Sequence, residues 1–161
     1  MITQECKTYL IERHQGEVYG ETLFRSLAER ATDDSRRHKL RVLERLERDT
    51  KRRIRSFLEQ LGTDVVDDAR SVQRGEDDAQ TFAGLDWNRL MQGFRVELAK
   101  FVSAFEQSES LAASHGEAQD LVRHITMHER ALLDFATREL QGLDERSLES
   151  VLRILEAPPT G

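Results

Sequence analysis

Glu17, Glu47, Glu97 and Glu129 each stand at the midpoint of an otherwise apolar helical stripe. A buried, unpaired carboxylate costs several kcal/mol, so four at one level of a core demand cations, protons or dedicated partners. Carboxylate oxygens converging from several helices are what a hard or borderline divalent cation binds, and a pair of cations would neutralise the cluster. The alternative is a structural polar layer, with Thr50, His14 and His128 as hydrogen-bond partners. One glutamate on a stripe commonly snorkels or pairs with an arginine. Four at mid-helix weigh toward a functional layer.

The elements that must position these residues follow from periodicity. A first helix over 3–30 carries the stripe Leu10, His14, Glu17, Glu21, Phe24, Ala28, Ala31, at heptad spacing. Thr32, Asp33, Asp34 and Ser35 offer N-caps for a second helix reaching Leu61, with Gly62 as its stop. Its stripe reads Leu40, Leu43, Glu47, Thr50, Ile54, Phe57, Leu61. Residues 63–85 break the pattern with Asp64, Asp67, Asp68, Gly75, Asp77, Asp78 and Gly84, leaving a connector with a short helix near 65–72. A connector of this length suits a crossover between parallel helices better than a hairpin turn.

A third helix is expected over 86–112, with the stripe Trp87, Leu90, Phe94, Glu97, Phe101, Ala104, Ser108, Leu111. Ser114, His115 and Gly116 form a turn into a fourth helix over 117–140, with the stripe Val122, Ile125, Glu129, Leu132, Ala136, Leu140. Beyond Gly142, residues 147–155 form a short amphipathic helix, and 157–161 read as a frayed tail. Each main helix is about 40 Å long at 1.5 Å per residue, so mid-helix positions share a level whichever way neighbours run.

The 161 residues make one domain, expected over 1–156. A net charge of −6, with 34 % charged residues, argues against nucleic acid as a partner. Arg36–Arg37 and Arg52–Arg53 then read as solvated faces. Cys6 is the lone cysteine, so no disulfide framework or cysteine metal motif exists. No apolar leader or membrane-length stretch stands out, and a reducing cytoplasmic compartment is expected. His124 and His128 lie one turn apart, a spacing that needs a third ligand to hold a metal. Gly16 and Gly20 allow close helix packing, and Tyr9 and Tyr19 pack near the centre.

The run Gly16-Glu17, Gly20, Phe24, Ala28, Ala31 is similar to the first helix of the rubrerythrin branch of the ferritin-like superfamily. The resemblance implies an all-α, ferritin-like four-helix bundle with a long crossover between helices 2 and 3, plus a short C-terminal helix. It implies a di-metal centre, two iron ions or else manganese, with Glu17 and Glu97 as terminal ligands and Glu47 and Glu129 bridging. The chain departs from the family's two Glu-x-x-His motifs, since Thr50 and Leu132 stand where histidines belong. Glu21, His14 and His128 are the substitute ligands it offers.

Two functions follow. One is a di-iron protein that oxidises Fe(II) or activates oxygen or peroxide, as a homodimer served by a separate electron-donor protein, because one cysteine cannot build a rubredoxin centre. The other is a metal-free helical module working through protein contacts of the connector and the last helix. Whether the chain is an enzyme stays open at this point.

Overall fold

A computed structural model describes residues 1–157, and among them all regular structure is helical. The expected tail, 157–161, lies outside the described residues except for Ala157. Helix α1 (Gln4–Arg30) starts where the Thr3 hydroxyl accepts from the Cys6 amide at 3.1 Å. Helix α2 (Asp34–Gln60) starts at the Asp33 cap, 2.8 Å from the Arg36 amide, and closes before Gly62, whose φ is 76°. Helices α3 (Ala69–Phe82) and α4 (Trp87–Ser108) open on the Asp68 and Asp86 caps. A 3₁₀ turn (Glu109–Ala112) leads to α5 (Gly116–Leu140), and α6 (Glu149–Glu156) closes the described chain.

Helices α1 and α2 form an antiparallel hairpin, with Arg25 against Glu44 at one level and His14 against Arg55 at another. Helix α5 lies antiparallel to α2, as Lys39 meets Glu139 while Thr50 meets His124. Helix α4 runs antiparallel to α1, edge-to-face through Phe24–Phe94 (5.9 Å) and Tyr9–Phe105 (6.2 Å). Helices α2 and α4 therefore run parallel, as the long connector requires. Two separate apolar clusters fill the interior. One holds Phe24, Leu43, Leu46, Leu132 and Phe135; the other holds Leu10, Ile54, Leu58, Phe105 and Ile125. Between them lies the level of residues 14–21 on α1, 47–51 on α2 and 126–129 on α5. The core is cut by a polar layer.

Two expectations about the elements are corrected. The connector is not a loop with a short helix at 65–72; α3 spans Ala69–Phe82 and packs along α1. Gly75 does not break this helix but is its contact point: a Cβ there would sit 2.9 Å from the Tyr19 carbonyl oxygen and from Thr22 Cβ. Tyr19 donates to Asp78 at 2.6 Å, and Gln15 ties the preceding segment through Val66 and Asp68, both at 2.9 Å. The third expected helix is also turned about its axis. Its buried side is Leu90, Met91, Val102 and Phe105, with Phe94 and Leu98 packed beside it, while Phe101 and Val96 face out.

The last helix docks by Val151 and Ile154, both buried. The Glu139 carboxylate of α5 ties α2, α4 and the turn before α6 together: it pairs with Lys39 and accepts from Trp87 Nε1 at 2.9 Å and Ser147 Oγ at 2.8 Å. No described helix is long and apolar enough to cross a membrane.

Candidate metal centre

Three side chains from three helices converge inside the polar layer: Glu17 of α1, Glu47 of α2 and His128 of α5. One ligand atom from each lies within 4.8 Å of the others, and all three residues are buried. His128 Nε2 stands 3.3 Å from Glu47 Oε1 and 3.6 Å from Glu17 Oε2. Neither His128 Nε2 nor Glu17 Oε2 has a hydrogen-bond partner among the described residues. Buried polar atoms are nearly always paired, so two orphans aimed at one point mark a place for a cation, a proton or a water.

The backbone is shaped to this arrangement. A Cβ on Gly20 would fall 2.5 Å from the carboxyl carbon and Oε2 of Glu47. Glycine at that position lets the carboxylate lie against α1. On the far side of the ring, His128 Nδ1 is 2.8 Å from Thr50 Oγ1, which is itself 3.1 Å from His124 Nε2. Thr50, one turn from Glu47 where the family resemblance places a ligand histidine, instead holds the histidine supplied by α5.

Electrostatics match the burial. Burial lifts the Glu17 carboxyl well above its usual range, with His128 pulling down and Glu47 pushing up. Burial raises Glu47 to about 8, the adjoining Glu17 carboxyl lowering it and the charges of Glu129 and Glu21 adding to the rise. Glu129, also buried, is raised to about 7 by burial; His128 opposes this, Glu17 adds to it, and Arg13 opposes it. The charge of the Arg13 guanidinium, which stands 4.5 Å from the Phe105 ring centroid and 5.6 Å from that of Tyr9, lowers both Glu17 and Glu129. Each carboxylate is thus costly to ionise here unless something positive arrives.

The expected site residues divide. Glu17, Glu47 and His128 come together, and Glu129 is coupled to them from outside the tight group. Glu97 does not join: its side chain is 59 % exposed and pairs with Lys100 at 2.9 Å. The buried stripe of α4 passes through Leu98 instead, one residue and roughly 100° around the helix. Glu21 is buried but already neutralised by Lys51 (2.5 Å), Arg48 (2.8 Å) and Arg25 (3.0 Å). His14 is buried on the opposite flank, 3.3 Å from Arg55 and 3.9 Å from Asp67, among residues of α2 and the connector. Neither belongs to the group of converging ligand atoms among the described residues.

Residue spacing did not disclose the service Gly20 gives Glu47 or the reach of Arg13 to Glu17 and Glu129. The first had a signal: Gly20 lies one turn from Glu17 on the inward face. The second had none, because an arginine on a charged helix reads as solvated. Comparison with protein-family models, with curated proteins and with solved structures finds no match.

Proposed function

We propose that the chain is a metal-binding helical bundle whose centre takes one divalent cation between Glu17, Glu47 and His128, with Glu129 beside it. The observation that carries this reading is the convergence of three buried ligand atoms within 4.8 Å, two of the three residues contributing an atom with no other partner. Two carboxylates and one imidazole suit Fe(II) or Mn(II), with Zn(II) as a competitor. Bound iron or manganese would supply redox and Lewis-acid chemistry toward oxygen or peroxide. The resemblance to ferritin-like proteins is supported by the antiparallel hairpins and the crossover between the parallel helices α2 and α4.

A single ion fits the donor set better than the pair implied by the resemblance. With Glu97 paired on the surface, three carboxylates and one imidazole remain, and Arg13 already offsets part of their charge. The test is metal analysis after anaerobic loading with Fe(II) and with Mn(II). About one equivalent in the wild type and none in Glu47→Ala is the expected result; no specific metal in the wild type overturns the reading.

One observation favours a second reading. With Glu17 and Glu47 both shifted upward, protons can neutralise the layer at neutral pH. A metal-free module of this kind would keep or gain thermal stability in Glu47→Gln and bind no cation in either form.

A further inference from the structure

Thr50 lies between two imidazoles. His128 Nδ1 approaches its hydroxyl oxygen at 2.8 Å and His124 Nε2 approaches at 3.1 Å. A hydroxyl has one proton, and a neutral imidazole has one N–H and one bare nitrogen. Thr50 therefore donates to one ring and accepts from the other, so one of the two facing nitrogens carries a proton and the other is bare. Because Nδ1 of His128 and Nε2 of His124 face it, the two rings hold the same tautomer. Both Thr50 and His128 are fully buried, out of reach of bulk solvent. His124 stays neutral near pH 7, since burial and then the Arg53 and His128 charges lower its pKa to about 4.

We infer that Thr50 and His124 are positioning residues that fix the tautomer of His128 and couple the buried centre to the groove lined by His124. A cation on His128 Nε2 requires a lone pair there, so the ring's proton sits on Nδ1 and is donated to Thr50. Thr50 must then donate to His124 Nε2, leaving the His124 proton on Nδ1. In the opposite arrangement His124 Nε2–H donates to Thr50, Thr50 donates to His128 Nδ1, and His128 carries its proton on Nε2, facing Glu47 and Glu17. The first arrangement binds metal and the second does not. His124 lines an open groove between α2 and α5 with Asp49, Arg53, Glu117 and Asp120. The occupancy of the centre is thus written into which nitrogen of a groove residue carries the proton.

This inference rests on the metal reading, and the experiment separates the two. Long-range ¹H–¹⁵N correlation spectra of the full chain at pH 7, with and without Zn(II) as a diamagnetic probe, assign both tautomers. Loaded protein should show His128 with a bare Nε2 and both rings protonated on Nδ1; His124 protonated on Nε2 overturns the inference. Thr50→Val should bind Zn(II) about 10- to 100-fold more weakly while Thr50→Ser stays within about threefold of wild type. Equal affinity in Thr50→Val overturns the coupling. If the wild type binds no Zn(II), the metal reading fails, and the metal-free spectrum decides the tautomer link alone. One protonated and one bare nitrogen facing Thr50 supports it; two alike end it.

Discussion

The Glu47 carboxylate sits where a helix backbone would normally carry a methyl group. Gly20→Ala therefore removes no ligand yet should push that carboxylate out of line with Glu17 and His128, since its Cβ would fall 2.5 Å from two carboxyl atoms. Alanine favours the helix intrinsically by about 1 kcal/mol, so stability should change little. The expected outcome is a metal affinity lowered at least tenfold in a protein with an unchanged helical circular-dichroism signal. Titration with Mn(II), followed by metal analysis, checks it. The same carboxylates set the pH response. Native pKa values of about 8 for Glu47 and about 7 for Glu129 exceed the ordinary 4.5 of the unfolded chain. The native state then keeps protons that the unfolded state releases, so the stability these two carboxyls contribute is full below pH ~4.5 and is lost as pH rises toward 8. His14 and His124, both lowered to about 4 by burial, act in the opposite sense below pH ~6.5. At about 1.4 kcal/mol for each tenfold difference in proton affinity, the part of the carboxyl loss that falls between pH 6.5 and pH 8 amounts to about 2 kcal/mol. Thermal melts of chelator-treated protein at pH 6.5 and pH 8, above the range in which the histidines titrate, measure it. A midpoint that rises over that interval would contradict the burial of these groups.

At the scale of elements, α3 turns the connector into part of the bundle. Gly75 meets the α1 backbone, and a backbone carbonyl cannot step aside as a side-chain tip can. Gly75→Ala should cost about 1–3 kcal/mol despite its better helix propensity, through overpacking against Tyr19 and Thr22. Hydrogen exchange over residues 69–82 should accelerate while α5 stays protected. Exchange unchanged along α3 would mean that the contact adds nothing. At the other end, Glu139 neutralises the buried Lys39 and accepts from Trp87 and Ser147. Removing one partner of a buried ion pair strands the other, so Glu139→Ala should destabilise by about 3–5 kcal/mol, read by urea unfolding. Helix α4 shows how periodicity misleads. Phe101 and Ala104 extend one stripe, while Met91, Phe94, Leu98, Val102 and Phe105 extend another, and only the second meets α1 and α5. With apolar residues on two faces, spacing alone selects no inward side, and Glu97, with Phe101 and Ala104, lies on the side left facing out.

For the whole molecule, the polar layer divides the core into two apolar clusters, and whatever neutralises it couples them. A cation bound to the native state and not to the unfolded chain stabilises by about 2.7 kcal/mol at a hundredfold excess over its Kd. For a domain of this size that corresponds to a rise in Tm of roughly 5–10 °C. Melts at pH 7 with and without saturating Mn(II) read this directly. The rise should vanish in Glu17→Gln combined with Glu47→Gln. What the chain alone determined is local and periodic: the helix starts near Thr3, within 32–35 and near Asp86, the stops at Gly62 and Gly142, and the inward stripes of α1, α2 and α5 with Glu17, Glu47 and Glu129 on them. Those features depend on neighbours three or four residues away, so they can be read along one line of sequence. Tertiary structure decided the rest. It chose which apolar face of α4 is buried, turned 69–82 into a docked helix, and gave Glu21 to the Lys51 and Arg48 cations. It also set His128 of α5 beside Glu17 and Glu47, with Thr50 of α2 against its other nitrogen. Each of these outcomes depends on which surface another helix presents at that level, and a one-dimensional spacing does not contain that information.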